Sequence, residues 1–238
     1  MPLCTRLIEI AVVESPHPRH VVLTGGSSGI GLRGAAQLLA TGHRLTVLCR
    51  DGASVERLRG HLSDTSGSSG FTPSLTTLIG DLADLASVEA CAAELLQVGE
   101  PIDTLVLNAG LQYSGAKEPR WSAQGFELTF AVNHLAHQAL LQRLLPLLLR
   151  STAPRLVVTA SEVHDPTAAG GKVGQAAGLG DRVGLRQGPG AAMVDGGAFD
   201  AEKAYKDSKL CNVLMARDAA RRLQVGGLAM PVLAWSPG

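Results

Sequence analysis

From His20 to about residue 40 the chain passes from an apolar, strand-like run into a glycine loop and then a helix. No other feature restricts the fold as much. The loop reads Thr24-Gly25-Gly26-Ser27-Ser28-Gly29-Ile30-Gly31. Glycine lets backbone N–H groups approach a phosphate closely, and the start of the following helix adds a favourable dipole. Gly25, Ser27, Ser28, Gly29, Ile30 and Gly31 are therefore candidates for holding the diphosphate of a dinucleotide. A glycine turn without a ligand can carry the same letters; the flanking strand and helix favour binding.

The alternation continues along the chain. Strand-like runs fall at His20–Thr24, Arg44–Cys49, Leu75–Ile79, Thr104–Leu107, Arg155–Thr159 and 231–235. Helical stretches cover about 84–98, 122–149 and 200–223. Strands alternating with helices imply right-handed βαβ units, hence an α/β fold. The expectation is a Rossmann-type doubly wound parallel sheet, and 238 residues suit a single domain over 1–238. Two stretches break the rhythm. Residues 65–70 form a Ser/Gly tract, read as a surface loop. Residues 170–197 hold ten glycines and little periodicity, the heart of a long insertion over about 162–199. Loops of that length in a compact domain are usually functional or disordered. The sequence closes on Ser236-Pro237-Gly238, directly after a strand. A further helix ordinarily covers that side of a sheet, so a C-terminal substrate segment is expected to be missing.

Lys plus Arg and Asp plus Glu number 21 each, which gives no basic surface for nucleic acid or anionic membrane. Cys4, Cys49, Cys91 and Cys211 are scattered, with no Cys-x-x-Cys pair. That argues against a zinc site or a disulfide framework and fits a reducing compartment. No apolar run approaches the roughly 18 residues of a membrane span; 144–149 is short and contains Pro146. The first 19 residues carry Glu9 and Glu14 and lack the pattern of a signal peptide. The cytoplasm is the expected compartment, with a plastid the alternative in a photosynthetic cell.

Far downstream lies Tyr205-Lys206-Asp207-Ser208-Lys209. Residues four apart share one helix face, which sets the Tyr205 hydroxyl beside the Lys209 ammonium. A free tyrosine has a pKa near 10, poorly matched to neutral pH. A neighbouring ammonium is expected to stabilise the phenolate and lower that value. The pair then reads as an acid–base device, with an exposed polar helix face as the alternative, since Lys203, Lys206 and Asp207 make this helix polar. A dinucleotide at one end and a proton donor at the other outline a redox enzyme. The second strand ends Cys49-Arg50, where NAD-specific folds place an acid for the ribose 2′-hydroxyl. Arg50 there favours a 2′-phosphate and hence NADP(H), although Asp51 follows it directly.

With these residues in hand the chain resembles the short-chain dehydrogenase/reductase family over essentially its whole length. The resemblance rests on the glycine loop, Asp81-Leu82, Asn108-Ala109-Gly110, Asn133, Ser161, Tyr205-x-x-x-Lys209 and Pro237-Gly238. It implies that Asp81 meets the adenine ring, Asn108 walls the cofactor site, Asn133 joins a proton relay and Ser161 orients the substrate. Leu82, Ala109, Gly110, Pro237 and Gly238 carry over as cofactor contacts. Tyr205 and Lys209 carry over as catalytic residues that also touch the cofactor, Lys209 through the nicotinamide ribose. Within that family, three runs are similar to the protochlorophyllide reductase group. They are Lys117-Glu118-Pro119, Gly125-Phe126-Glu127-Leu128 with Asn133-His134-Leu135-Ala136-His137, and Ala204-Tyr205-Lys206-Asp207-Ser208-Lys209-Leu210-Cys211-Asn212-Val213-Leu214. The long insertion before Tyr205 also fits that group. The implied substrate is a small molecule, a tetrapyrrole in the light-driven case.

Two departures keep other substrates open. Ser161 stands where that group tends to carry Thr, and serine serves ordinary carbonyl chemistry equally well. Aromatic residues amount to 3%, sparse for gripping a tetrapyrrole. A dark carbonyl reductase and a non-catalytic nucleotide-binding protein are the competing readings. His134, His137 and His164 are read as packed or surface residues, because no carboxylate lies at ligand spacing, and no metal is expected. Cys211 is read as a small buried filler, and Trp121 and Trp235 as packing residues. The face bearing Val132, Ala136, Ala139 and Leu140 is read as core or as the surface of a homo-oligomer.

Overall fold

The computed structural model describes residues 17–65 and 74–237. Residues 1–16, most of the Ser/Gly tract at 65–70 and Gly238 lie outside the described residues.

Six strands form one parallel sheet in the order β3-β2-β1-β4-β5-β6. They are β1 (His20–Thr24), β2 (Arg44–Cys49), β3 (Leu75–Ile79), β4 (Thr104–Leu107), β5 (Arg155–Thr159) and β6 (Val232–Trp235). Val21 pairs with both Leu45 and Thr104, so β1 lies at the centre with β2 and β4 as neighbours. The strand order reverses between β1 and β4, and in open α/β sheets that switch point is where ligands bind.

The strands are apolar on both faces because both faces are covered. Successive side chains point to opposite sides. Val21, Leu23, Leu45 and Val47 pack on α1 (Gly29–Ala40) and α2 (Gly52–Thr65) through Ala35, Leu38, Val55 and Leu58. Val22, Leu48, Leu105, Leu107 and Leu156 face the other way. There they meet α3 (Leu85–Val98) through Val88, Cys91 and Leu95, and the later helices through Leu140, Leu144 and Met215.

Caps fix the helix ends. Asp84 accepts the Ala86 N–H at the start of α3, and Gly99 closes it at φ 71°. The next helix runs as α4 (Leu128–Phe130), a π-helical turn (Ala131–Leu135) and α5 (Ala136–Leu148). Buried Glu127 caps it, accepting the N–H groups of Thr129 and Phe130 at 2.9 Å each. The last two helices are α6 (Val183–Gln187) and α7 (Ala201–Val225), the latter capped by Asp200 accepting the Lys203 N–H at 2.8 Å. Among the described residues no helix is long and apolar enough to cross a membrane.

Several local expectations are corrected. Helix α2 has no counterpart in the sequence reading, because its mixed polar face gives a weak periodic signal. The long helix starts at Leu128, not near 122: Gly125 at φ 76° makes a turn, with Gly125 N–H bonded to the Ser122 carbonyl. Trp121 lies at the surface, 44% exposed, whereas Trp235 is buried beside β5. Ala136 and Leu140 are fully buried, so that helix face belongs to the core.

The polar face of α7 is not solvated. Lys203, Lys206 and Asp207 are buried beneath the glycine-rich insertion. The Lys206 ammonium donates to the carbonyls of Gly171 (3.1 Å), Gln175 (2.9 Å) and Val173. The Lys203 ammonium donates to the Gly178 carbonyl at 2.8 Å and pairs with Asp207 (2.6 Å) and Asp195 (2.9 Å). Asp207 in turn accepts the Gly178 N–H at 2.9 Å. Polar groups of the insertion that lack a regular ladder are satisfied by charged side chains instead.

Candidate active site

The glycine loop occupies the carboxyl end of β1. Gly25 has φ 71°, and a Cβ there would sit 2.7 Å from the Ala109 Cα, so the loop presses against the segment after β4. A Cβ on Gly31 would sit 2.2 Å from the Gly25 carbonyl oxygen. Gly29 has φ 55° and open space where a Cβ would stand. Ser28 is extended and gives no side-chain cap to α1. Helix N-termini leave N–H groups without intrahelical partners, and here they face the open cleft. The cradle fits a diphosphate: glycine where bulk would collide, and uncapped donors at a helix start.

That cleft has a volume of about 850 Å³ and runs from the glycine loop to α7. Along its walls lie Ser27, Ser28 and Ile30, then Arg50, Asp81 and Leu82, then Asn108, Ala109 and Gly110, and at its far end Ser161, Tyr205, Lys209 and Pro237. Residues spread over more than two hundred positions of sequence thus meet in one opening. The Asp81 carboxylate accepts the Ala83 N–H at 2.9 Å, which fixes its turn. Asn108 donates from Nδ2 to the Thr24 carbonyl at 3.2 Å. Arg50 is exposed at the rim and pairs with Asp51 at 3.0 Å. Asp51 also accepts the Ser54 hydroxyl at 2.7 Å and the Ser54 N–H at 2.8 Å. Those Ser54 bonds, helped by Arg50, hold the Asp51 carboxyl down at about 2. Asp51 is therefore committed to the start of α2 and to aiming Arg50.

At the far end Lys209 is buried, and its ammonium donates to the Thr159 carbonyl at 3.2 Å. Burial lowers its pKa to about 8. The ammonium also lies 5.4 Å from the centroid of the Tyr205 ring. Burial raises the Tyr205 pKa, opposed by a hydrogen bond from Ser161. Burial is the larger influence on the phenol, and the Lys209 ammonium stands against the Tyr205 ring. Gly110 closes the floor: a Cβ there would stand 3.4 Å from the Lys209 Nζ.

Asn133 stands behind the cleft rather than on its wall. It is fully buried in the π turn. Its Oδ1 accepts the Leu111 N–H at 2.8 Å, and its Nδ2 donates to the Leu111 carbonyl at 3.0 Å and to Ser208 Oγ at 3.1 Å. It thereby ties the loop after β4 to α7.

Sequence reasoning missed the supports. Asn212 donates to the same Thr159 carbonyl as Lys209, at 3.2 Å. His134 Nδ1 bonds the Asn212 Oδ1 at 3.2 Å. Both histidines were legible only as residues three apart on one helix. The π turn, which no periodicity signals, turns them toward different partners. Among the described residues no three His, Cys, Asp or Glu side chains converge as a metal would need.

The description of the short chain dehydrogenase family matches residues 19–177. The chain belongs to the short chain dehydrogenase family. Among its relatives is the chloroplastic protochlorophyllide reductase of Cucumis sativus, 40% identical over 209 residues, covering 85% of this chain and 51% of that protein. Protochlorophyllide reductase B of Oryza sativa is 39% identical, over 84% of this chain and 50% of its own. The chain spans about half the length of the curated relatives it matches. Among solved structures, the Pseudomonas aeruginosa RhlG/NADP active-site complex superposes with a TM-score of 0.66 at 24% identity, over 93% of this chain and 73% of that one. The last likeness shows the shared fold.

Proposed function

We propose that this chain is an NADPH-dependent reductase of the protochlorophyllide type. The observation that carries the reading is the meeting of the glycine cradle with Ser161, Tyr205 and Lys209 in a single cleft. Its similarity to two plant protochlorophyllide reductases supports a tetrapyrrole double bond as the group reduced.

In this reading the N–H groups at the start of α1 hold the diphosphate, and Arg50 takes a 2′-phosphate. Asp81 lies against the adenine end and Lys209 against the nicotinamide ribose. When bound, NADPH supplies the hydride. Tyr205 supplies the proton to the neighbouring carbon, and Ser161, hydrogen-bonded to Tyr205, orients the hydroxyl. Such positioned acid–base groups typically contribute roughly 10² to 10⁴ in rate. The carboxamide of Asn133 keeps Leu111 and Ser208 in place around them.

One observation favours a second reading, a light-independent carbonyl reductase. The cleft walls carry a single aromatic ring, that of Tyr205, whereas aromatic side chains commonly line small-molecule sites. The test is direct. The protein is mixed with NADPH and protochlorophyllide in darkness, flashed, and followed by absorption. A red shift that appears only after light supports the photoreductase. No shift, with NADPH bound, moves the reading to small ketones and aldehydes.

A further inference from the structure

Behind the cleft, one imidazole connects its two halves. His137 lies four residues beyond Asn133, on the first turn of α5, and is fully buried. Its Nδ1 is 3.0 Å from the Asn133 carbonyl oxygen and its Nε2 is 2.9 Å from the Thr24 hydroxyl. A carbonyl only accepts, so Nδ1 carries the ring proton and Nε2 is the acceptor. Burial, together with the Lys209 charge, depresses the His137 pKa to about 3, so the ring is neutral at working pH.

The Thr24 hydroxyl has one proton and two lone pairs. The proton goes to His137 Nε2 at 2.9 Å rather than to the Val106 carbonyl at 3.5 Å. The lone pairs accept the backbone N–H groups of Asn108 at 2.9 Å and Ala109 at 3.0 Å. Every hydrogen-bonding site of this hydroxyl is used, and only a proton-free Nε2 completes the set. Ala109 is also the residue on which Gly25 presses, so its height sets the depth of the glycine loop.

The geometry points to His137 as a positioning residue for the cofactor floor. By holding the Thr24 proton it aims both lone pairs at Asn108 and Ala109, and through the Asn133 carbonyl it links that floor to the π turn. The inference rests on the dinucleotide reading for its binding consequence, but the arrangement itself is measurable in the ligand-free protein.

Two kinds of experiment test it. Nitrogen NMR of the ligand-free protein is expected to show His137 as the neutral Nδ1–H tautomer from pH 5 to 8. Hydrogen exchange of the Asn108 and Ala109 amides should be slow, and faster in His137→Phe and Thr24→Val. Titration of the ring near 6.5, or the Nε2–H tautomer, would overturn the assignment even if no variant folds. NADPH affinity, read by calorimetry, should fall about tenfold or more in His137→Phe and in Thr24→Val. Thr24→Ser, which keeps the hydroxyl, should stay within about threefold of wild type. The double substitution should lose no more than either single one, because both break the same link. Folded single variants with wild-type affinity, or fully additive losses, overturn the inference. Failure of the wild type to bind NADPH strikes the cofactor reading instead and leaves the exchange and tautomer results to decide the role of His137.

Discussion

The Lys209 ammonium lies 5.4 Å from the centre of the Tyr205 ring and gives its hydrogen bond to the Thr159 carbonyl, at 3.2 Å. The ammonium thus stands against the ring, while a backbone oxygen anchors it. Lys209 is buried and Tyr205 half-buried, and burial moves their pKa values in opposite directions, the phenol upward and the ammonium downward.

Tyr205 is the proton donor in the proposed reaction, and its hydroxyl takes no part in the glycine cradle. Tyr205→Phe is expected to lower kcat by roughly 10² to 10⁴ while changing the NADPH dissociation constant little. Single-turnover kinetics with parallel calorimetry separates the two. A near-normal rate sinks the assignment.

Lys209 has a pKa of about 8. As pH rises through that value its ammonium is lost, while Tyr205, raised above its usual range, stays protonated. The value of kcat/KM for reduction is therefore expected to fall about tenfold per pH unit above roughly 8. In Lys209→Arg the residual activity should carry this limb at higher pH. An unmoved limb assigns it to another group.

Arg50 is held toward the rim by Asp51, whose carboxylate is occupied by Ser54. Arg50→Ala should weaken NADPH binding by about tenfold or more and leave NADH within about threefold, since a charged hydrogen bond is worth about 1.5–3 kcal/mol. Equal losses for the two dinucleotides, measured by competition, count against Arg50 as the phosphate reader.

Lys203 joins Asp207, Asp195 and the Gly178 carbonyl in a buried cluster. Lys203→Ala leaves the Asp207 carboxylate without its cation, a loss expected to cost about 3–5 kcal/mol. Denaturant unfolding reads the magnitude. Hydrogen exchange should place the loosening first around Gly178 and Asp195, and protection retained there would contradict the clamp.

His137 has a pKa of about 3 in the folded chain against an ordinary value near 6.5. Between those values the unfolded chain binds a proton that the folded chain does not, so stability rises with pH across the window. This contribution is complete above pH 6.5 and is lost as pH falls toward 3, with a slope of up to about 1.4 kcal/mol per pH unit. His137→Phe should flatten acid unfolding in that range. An unchanged slope means that carboxylates dominate.

How much of this was legible follows from which signals sequence carries. The runs at His20–Thr24, Arg44–Cys49 and Arg155–Thr159 match β1, β2 and β5 because strands buried on both faces must be apolar throughout. The glycine loop was legible because Gly31 cannot carry a side chain without striking the Gly25 carbonyl. Polar residues misled. Lys203, Lys206 and Asp207 look like a wetted face, and only the folded insertion shows that their partners include carbonyls at 171–178 and the Asp195 carboxylate. The π turn was invisible for a related reason. One added residue leaves no mark in composition, and its sign is geometric.

That added residue works as a phase setting. Each residue turns an α-helix by about 100°, so a turn one residue longer re-aims everything beyond it by that amount. Because of the offset, Leu140 and Leu144 point into the core while Asn133, His134 and His137 serve three separate partners. Removing a single amino acid anywhere in 131–135 would restore a regular helix and rotate α5 out of alignment with the sheet. A half-buried side chain there, such as that of Leu135, can be exchanged, but the number of residues cannot. Outside Asn133 and His134, this stretch should accept substitution far more readily in evolution than any change of length.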